Sequence, residues 1–209
     1  MRLSSALEAI LAEGSSRILE RDLSAQETNA FVQYLTLLTR WQRVHRLVGS
    51  IEPRWLIENV ILDSLLFLRL LPTEVNAIAD LGSGAGVPGI PLKIVRPEMK
   101  VTLIESRERR ASFLSTVVRE LGLRECRVVA GRAEDIPRED RGYDAVVMRC
   151  AGDLTELVPV AADLLRSGGC VIATGPPAIR AVRTEPTQLE WVEVPGVLAT
   201  RALGVYRKP

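Results

Sequence analysis

A doubly wound α/β fold is predicted by a change in the spacing of apolar residues along this chain of 209 residues. From about residue 76 onward, short apolar runs alternate with helical segments, which is typical of a parallel sheet covered by helices on both faces. The last two apolar runs, 191–194 and 198–206, flank Pro195 and Gly196 and predict an antiparallel hairpin. Residues 1–72 show helical periodicity throughout. We therefore predict a helical region over 1–72 and a second domain over 73–209, with a Rossmann-like, seven-stranded, mostly parallel sheet.

The helical region carries clear signals for where helices begin. Ser24 and Glu27 form a capping-box pattern, in which a hydroxyl and a carboxylate satisfy free backbone N–H groups at a helix start. Pro53 suits the first turn of a later helix, and Pro72 is expected to end it. After the capping box, large side chains recur at steps of three and four and form one mostly apolar stripe: Phe31, Tyr34, Leu38, Trp41 and His45.

Five apolar runs are predicted to be parallel strands: 77–81, 101–104, 127–130, 145–148 and 170–174. Between the second and third of these, the segment 109–121 places its apolar residues on one helical face. Asp153 is expected to cap a helix that runs to Arg166, with Pro159 bending it. A turn over 167–169, which reads Ser-Gly-Gly, is expected to precede the fifth strand.

The composition is that of an ordinary globular protein and argues against several protein classes. Hydrophobic residues make up 47% and charged residues 25%, and the formal net charge is +1, so nucleic-acid binding must come from local clusters of charge. Three widely spaced cysteines form neither a disulfide framework nor a zinc site, and we expect no metal. The N-terminus lacks the apolar core of a signal peptide, and the most apolar run, 60–71, is too short to span a bilayer. We expect a cytoplasmic protein that does not engage membranes.

The segment IADLGSGAGVPGIP (78–91) is the strongest indication of a binding site. An apolar strand leads into an acid, Asp80, and then into glycines that include Gly82 and Gly84. Glycine-rich loops allow backbone N–H groups to approach a ligand closely. The acid adds a negative charge that a purely phosphate-binding loop would not favour, but that suits a ligand with a cationic amino-acid end and an adenosine end. S-adenosylmethionine is such a ligand.

Further candidate residues follow the other strands, because ligands of doubly wound sheets bind beyond the carboxyl ends of the strands. Glu105 follows the second strand, where it could accept hydrogen bonds from ribose hydroxyls. Ala133 and Glu134 follow the third strand, near the expected position of an adenine, and Arg149 and Cys150 follow the fourth. A nicotinamide-dependent enzyme is the main alternative. The spacing of the glycines and the lack of a second set of catalytic residues in the sequence argue against it.

Five segments resemble the RsmG family, also called GidB, of 16S ribosomal RNA guanine-N7 methyltransferases. They are DLGSGAGVPGIPLKIVRP (80–97), LIESRERRASFL (103–114), GRAED (131–135), VVMRCA (146–151) and LLRSGG (164–169). The resemblance implies a class I methyltransferase fold, S-adenosylmethionine as cofactor, and 16S ribosomal RNA or the small ribosomal subunit as partner. Carried over by position, it assigns cofactor contacts to five residues: Gly82, Val87, Ala133, Glu134 and Arg149.

Four positions depart from the pattern of that family. Val60 stands where the family usually has a histidine, and Arg46 begins a segment that is usually Asn-Leu-Thr. Thr174 replaces a lysine, and Ala202 replaces the histidine of an Arg-His pair. Two alternatives therefore stay open: a methyltransferase that acts on another RNA site or on a small molecule, and an RNA-binding relative without catalysis.

The chemistry of the implied reaction requires few catalytic groups. Guanine N7 carries a free lone pair, so its methylation needs alignment and desolvation but no general base. We assign no certain catalytic residue; Arg149 is a candidate for positioning, because arginine makes bidentate contacts with the N7 and O6 edge of guanine. Covalent attack by Cys150 on a pyrimidine is an alternative that no other residue supports. His45, the one histidine, is expected to pack rather than to act in catalysis.

Two clusters of arginines are candidates for binding RNA, since the methyl acceptor implied by the resemblance is a polyanion. We expect both clusters to follow phosphates beside the cofactor cleft. The first is Arg40, Arg43 and Arg46, which lie three apart on the stripe-bearing helix, and the second is Arg107, Arg109 and Arg110.

Overall fold

A computed structural model describes residues 3–149, 153–174, 190–197 and 199–209. The strands are β1 (Ala77–Leu81), β2 (Lys100–Glu105), β3 (Cys126–Ala130), β4 (Tyr143–Arg149), β5 (Leu165–Thr174), β6 (Glu190–Val194) and β7 (Arg201–Arg207). They form one sheet in the order β3-β2-β1-β4-β5-β7-β6. Strands β1 to β5 pair in parallel, whereas β7 pairs antiparallel with both β5 and β6. The predicted α/β fold with a C-terminal antiparallel hairpin is confirmed.

Helices precede the sheet and connect its strands. They are α1 (Ser5–Leu19), α2 (Ala25–Gln42), α3 (Pro53–Leu56), α4 (Asp63–Leu65), α5 (Gly89–Val95), α6 (Glu108–Glu120) and α7 (Leu154–Leu164). A π-helical turn, Ile57–Leu62, joins α3 to α4, and a 3₁₀ turn, Leu66–Arg69, follows α4. Two further 3₁₀ turns, Ala133–Asp135 and Arg138–Asp140, lie between β3 and β4.

The predicted start signals of the helices are confirmed. The Ser24 hydroxyl accepts the Glu27 N–H at 3.2 Å, and the Glu27 carboxylate accepts the Ser24 N–H at 2.7 Å, so the capping box of α2 is complete. Pro53 lies in the first turn of α3. The Asp153 carboxylate accepts the Thr155 N–H at 2.9 Å and caps α7. Each of these signals depends on residues no more than three positions apart, which explains why the sequence alone reveals them.

The end of α2 was predicted wrongly. The helix ends at Gln42, so His45 and Arg46 lie beyond it and do not continue its faces. The cause is the Gln42 side chain, whose Oε1 accepts the N–H groups of Leu47 and Val48 at 2.6 and 3.0 Å. These bonds turn the chain back over the helix end.

Two other boundaries differ from the prediction. The helical segment that starts at Pro53 ends at Arg69, before Pro72, and α7 ends at Leu164 instead of 166. The turn over 167–169 lies inside β5, not before it. There the register of β5 against β4 moves from Leu165–Tyr143 to Cys170–Ala145, so the extra residues form a bulge. Gly168 has φ +74°, a left-handed conformation that glycine adopts readily.

The helical region and the sheet share a hydrophobic core. Phe31 and Leu38 of α2 belong to the same buried cluster as Ile78, Leu103 and Phe113 from β1, β2 and α6. A second cluster lies between α7 and the sheet and contains Val146, Leu154 and Val158 among others. The hydrophobic core therefore continues across the boundary near residue 72, which stays a prediction.

Within the described residues, no helix is both long enough and apolar enough to cross a membrane. The same part of the chain contains no group of three or more His, Cys, Asp or Glu side chains arranged to hold a metal ion.

Candidate functional site

The glycine loop, residues 82–88, folds over the end of the neighbouring strand β2. The N–H groups of Gly82 and Ser83 both donate to the Ile104 carbonyl, at 2.9 and 3.0 Å. Gly82, Gly84 and Gly86 have φ values of +73°, +56° and +88°. Side chains disfavour this left-handed region, so the loop requires glycine at these three positions. The alternating glycines therefore set a backbone path as well as making room for a ligand.

Glu105 connects the glycine loop to the start of α6. Its Oε2 accepts the Gly84 N–H at 2.9 Å, and its Oε1 accepts the Arg107 N–H at 2.8 Å. The residue is only 5% exposed. Each carboxylate oxygen has two lone pairs, so each can accept one more hydrogen bond. The sequence predicted Glu105 as a ribose ligand; its role in holding the loop was not predicted.

Asp80 lies underneath the loop, fully buried. Its Oδ2 accepts the Gly89 N–H at 2.9 Å, and its Oδ1 is buried without a hydrogen-bond partner. Burial raises the pKa of Asp80 to about 7. A side chain on Gly89 would place its Cβ 2.5 Å from Leu103 Cδ2, so only glycine allows α5 to begin this close to the sheet. The sequence predicted Asp80 as a cofactor-binding acid, and this stays a prediction; that its carboxylate also holds the first residue of α5 was not predicted.

Arg149 and Thr174 end the two neighbouring strands β4 and β5, and they face each other in the sheet register. Arg149 Nη1 and Thr174 Oγ1 are both buried without a hydrogen-bond partner, as is Asp80 Oδ1 on β1. Ser15 Oγ is the other atom of this kind among the described side chains. Buried polar atoms without partners are costly and uncommon. Three of them at the carboxyl ends of adjacent strands indicate a place where a ligand completes the hydrogen bonding.

The remaining predicted cofactor residues lie at the ends of neighbouring strands or in the glycine loop. Ala133, in the 3₁₀ turn after β3, is buried, whereas the next residue, Glu134, is exposed. The Glu134 carbonyl accepts Arg141 Nη2 at 3.1 Å, which fixes this turn. Val87 lies half-buried near the end of the glycine loop. The sheet order brings β3, β2, β1 and β4 side by side, so the strand-end residues follow one edge of the sheet.

Tyr34 contacts the glycine loop and was not predicted as a site residue. This fully buried side chain of α2 donates its hydroxyl to the Ala85 carbonyl at 2.7 Å. The signal in the sequence is weak. A tyrosine within an apolar stripe needs a partner for its hydroxyl, but the pattern does not say which.

The structure brings the two arginine clusters next to each other. Arg110 Nη2, at the start of α6, donates to the Arg46 carbonyl at 3.4 Å. Arg110 is half-buried, whereas the other members of both clusters are exposed: Arg40, Arg43, Arg46, Arg107 and Arg109. Both clusters belong to a single surface beside the glycine loop, because Gly84 and Arg107 share the Glu105 carboxylate.

His45 packs against an aromatic neighbour. Its ring lies 5.6 Å from that of Trp41, which in turn makes an edge contact with Phe113 at 5.7 Å. The ring extends the aromatic packing between α2 and α6, so the expected packing role fits this position.

The cysteines give no support to a thiolate nucleophile within the described residues. Cys150 lies outside them. Burial raises the pKa of Cys126 to about 12, and burial also raises the pKa of Cys170. Both thiols are therefore protonated at neutral pH.

Comparisons with known proteins bear on the family to which this chain belongs. Residues 27–180 match the GidB family, described as rRNA small subunit methyltransferase G. The "Ribosomal RNA small subunit methyltransferase G" of Xanthomonas axonopodis pv. citri is 36% identical over 212 residues, which cover 96% of this chain and 99% of the relative. The protein of the same name from Nitrosospira multiformis is 39% identical over 160 residues, covering 76% of this chain and 71% of the relative.

Among solved structures, a SAM dependent methyltransferase from Aquifex aeolicus has the same fold. It matches with a TM-score of 0.55 at 18% identity, over 81% of this chain and 97% of that chain. The family predicted from the five sequence segments is confirmed. By its match over 27–180 and its identity to full-length relatives, the chain belongs to the rRNA small subunit methyltransferase G (GidB) family.

Proposed function

We propose that this protein transfers a methyl group from S-adenosylmethionine to guanine N7 in 16S ribosomal RNA. The observation that carries the proposal is membership of the rRNA small subunit methyltransferase G family. The glycine loop and the buried polar atoms without partners, at the carboxyl ends of the strands, separately support binding of the methyl donor.

The residues at the strand ends fit the chemical groups of S-adenosylmethionine. Asp80 Oδ1 is an acceptor and Arg149 Nη1 is a donor, and both lack partners. An ammonium and a carboxylate on one amino-acid end would satisfy such a pair. The free lone pairs of Glu105 suit ribose hydroxyls, and the turn that contains Ala133 and Glu134 suits an adenine. When bound, S-adenosylmethionine supplies an electrophilic methyl group on a sulfonium.

The task of this chain in the reaction is to align the two reactants and to exclude water. Guanine N7 needs no deprotonation, so a site without a general base is sufficient. We propose Arg149 as the positioning residue. It ends β4 beside Thr174, and its Nη1, which has no partner, can donate a hydrogen bond to a bound ligand.

We propose that the two adjacent arginine clusters form one arginine surface that binds RNA phosphates. We also propose that the helical region 1–72 contributes to substrate recognition. The sequence from 28 to 51 contains no acidic residue, so the arginines at 40, 43 and 46 have no local counter-charge in that stretch. The second cluster lies at the start of α6, which places positive charge near the proposed cofactor cleft. Phosphate contacts of this kind fix the register of an RNA without reading its sequence.

A different RNA acceptor is the second candidate function. Thr174 ends β5 beside Arg149, and it pairs with Leu203, the neighbour of Ala202. Two of the positions that depart from the family pattern thus lie near the same end of the sheet. Because the glycine loop and Glu105 lie within segments that resemble the family, these departures favour a change in the methyl acceptor over a change in the methyl donor.

Two measurements test the proposal. Calorimetry with S-adenosylmethionine tests the donor, and lack of binding at millimolar concentration would reject any methyltransferase function. Mapping of N7-methylguanine in 16S ribosomal RNA, from cells with and without the gene, tests the acceptor. We expect one guanine to lose its methyl group in the deletion strain and to regain it on complementation. An unchanged 16S profile, with methylation elsewhere, would favour the second candidate.

A further inference from the structure

Tyr34 joins the helical region to the glycine loop across 51 positions of sequence. Its hydroxyl donates to the Ala85 carbonyl at 2.7 Å, and both residues are buried, with exposures of 0% and 2%. The rest of the buried face of α2 is apolar and includes Phe31, Leu35 and Leu38. The hydroxyl of Tyr34 thus makes a polar contact from an otherwise apolar helix face, and that contact is with the glycine loop.

The loop is held from two sides. From the sheet, the Glu105 carboxylate accepts the Gly84 N–H at 2.9 Å. From the helical region, the Tyr34 hydroxyl occupies the carbonyl of the next residue, Ala85. Three glycines with positive φ give this loop great freedom when it is not restrained. A binding conformation that must exist before the ligand arrives therefore depends on such restraints.

Tyr34 is well suited to act as a permanent donor. Burial raises the pKa of its hydroxyl well above the ordinary value, so the proton stays in place throughout the working range of pH. The side chain has two rotatable bonds and is packed in the core, so it gives the loop a rigid contact.

We propose that Tyr34 is a positioning residue for S-adenosylmethionine, which sets the conformation of the glycine loop through Ala85. The inference rests on the proposed function, because it assigns Tyr34 to the loop that would hold the methyl donor. It adds that the helical region takes part in binding of the donor as well as the acceptor.

Tyr34→Phe tests the proposal, because it removes the hydroxyl and retains the ring. We expect the Kd for S-adenosylmethionine, measured by calorimetry, to rise about tenfold, the equivalent of roughly 1.4 kcal/mol. The KM for the cofactor should rise with it, while the Kd for 16S ribosomal RNA changes less than twofold. Without ligand, hydrogen exchange of the loop peptide 81–88 should become faster.

Tyr143→Phe is the matched control. Tyr143 is also buried, and its hydroxyl accepts Arg127 Nη2 at 3.1 Å. It begins β4 and so lies at the amino ends of the parallel strands, whereas the glycine loop lies at their carboxyl ends. This variant loses one part-buried hydrogen bond, so a loss of stability alone would affect both proteins. We expect it to bind S-adenosylmethionine within twofold of the wild type and to leave exchange of 81–88 unchanged.

The outcomes separate this inference from the proposed function. If the wild type binds S-adenosylmethionine and a folded Tyr34→Phe variant binds it equally well, the role of Tyr34 is wrong and the function stands. If the wild type does not bind, the proposed function fails and the inference fails with it. If Tyr34→Phe does not fold, hydrogen exchange of the wild-type protein tests the inference instead. Bound S-adenosylmethionine should then slow hydrogen exchange in the α2 peptide 31–38 together with the loop, and no change in α2 would overturn the inference.

Discussion

At the scale of single residues, two features mark the candidate site: side chains that accept hydrogen bonds from backbone N–H groups, and buried polar atoms without a hydrogen-bond partner. Glu105 accepts a backbone N–H from the glycine loop and Asp80 accepts one from the first residue of α5, so two acids fix the segment that follows β1 before any ligand binds. Both residues were predicted as site residues from their places near the ends of strands. Their backbone contacts could not be predicted, because the sequence does not state how closely the loop approaches the sheet.

Glu105→Gln should disrupt the loop. An amide can offer one acceptor oxygen, so its NH₂ group must face the N–H of either Gly84 or Arg107. We expect the free energy of unfolding to fall by about 1–3 kcal/mol. The Kd for S-adenosylmethionine should rise about tenfold or more, measured by calorimetry, since roughly 1.4 kcal/mol corresponds to a factor of ten.

Glu108→Gln serves as the control for that substitution, because Glu108 is exposed in the first turn of α6, three residues after Glu105. We expect little change in affinity. Equal effects of the two substitutions on cofactor binding would contradict the role of Glu105.

Asp80→Asn should change the dependence of stability on pH. Burial raises the pKa of Asp80 from 3.8 to about 7 in the folded protein, so the native state retains a proton that the unfolded state releases between these values. Stability contributed by this group is therefore complete below about pH 4 and is lost as pH rises towards 7. Asparagine does not titrate and can still accept the Gly89 N–H.

Urea unfolding at pH 5 and pH 8 measures this effect. Relative to the wild type, the Asp80→Asn variant should gain on the order of 2 kcal/mol between these two pH values. Parallel pH profiles for the two proteins would show that Asp80 does not titrate in this window.

At the scale of elements, α2 carries the most varied set of contacts. Its capping box fixes where it begins, Tyr34 reaches the glycine loop, and Arg40 is exposed at its other end. The helix start was predictable from two residues three positions apart. Its end was not, because Gln42 bonds to backbone five and six residues further on.

Ser24→Ala should destabilise the protein by about 1 kcal/mol, because the capping bond to the Glu27 N–H is lost. Ser4→Ala is a close control, since Ser4 occupies the same position before α1 but makes no capping bond with its side chain. Thermal unfolding of both variants measures the difference. A Ser4→Ala loss as large as that of Ser24→Ala would show that the bond is not responsible.

The arginine surface predicts a dependence of RNA binding on salt. The double substitution Arg40→Gln and Arg43→Gln should weaken binding to 16S ribosomal RNA. The slope of log affinity against log salt should fall by about 0.7 for each lost phosphate contact with single-stranded RNA. Affinity for S-adenosylmethionine should not change.

The double substitution Arg124→Gln and Arg138→Gln removes the same charge from exposed positions. These residues precede β3 and β4, whereas the glycine loop lies at the carboxyl ends of the strands. This control should retain the RNA affinity and slope of the wild type. If both pairs lower the slope equally, RNA binding depends on overall charge and the proposed surface is wrong.

At the scale of the whole molecule, one core joins the helical region to the sheet. Phe31 and Leu38 are buried in the same cluster as Ile78 and Phe113. A bidentate ion pair adds a second connection, since Arg201 of β7 contacts both oxygens of Asp63, at 3.2 and 2.9 Å. The two regions predicted from sequence should therefore not unfold independently.

We expect one cooperative unfolding transition in urea. Tryptophan fluorescence reports strongly on the helical region, which contains Trp41 and Trp55, and circular dichroism reports on all elements. The two signals should give the same midpoint. Separate midpoints would indicate that residues 1–72 form an independent unit.

The sequence by itself determined the strands, the capped helix starts, the glycine loop and the family. These features depend on periodicity and short motifs, which are encoded by residues close together in the chain. Only the tertiary structure decided that Asp80 is buried under Gly89, that Arg110 meets the Arg46 carbonyl, and that Tyr34 holds Ala85. Two of these contacts join residues more than fifty positions apart, and all three depend on how helices pack on the sheet. Local pattern shows which side chains are polar or apolar, but packing decides which partner each polar group finds.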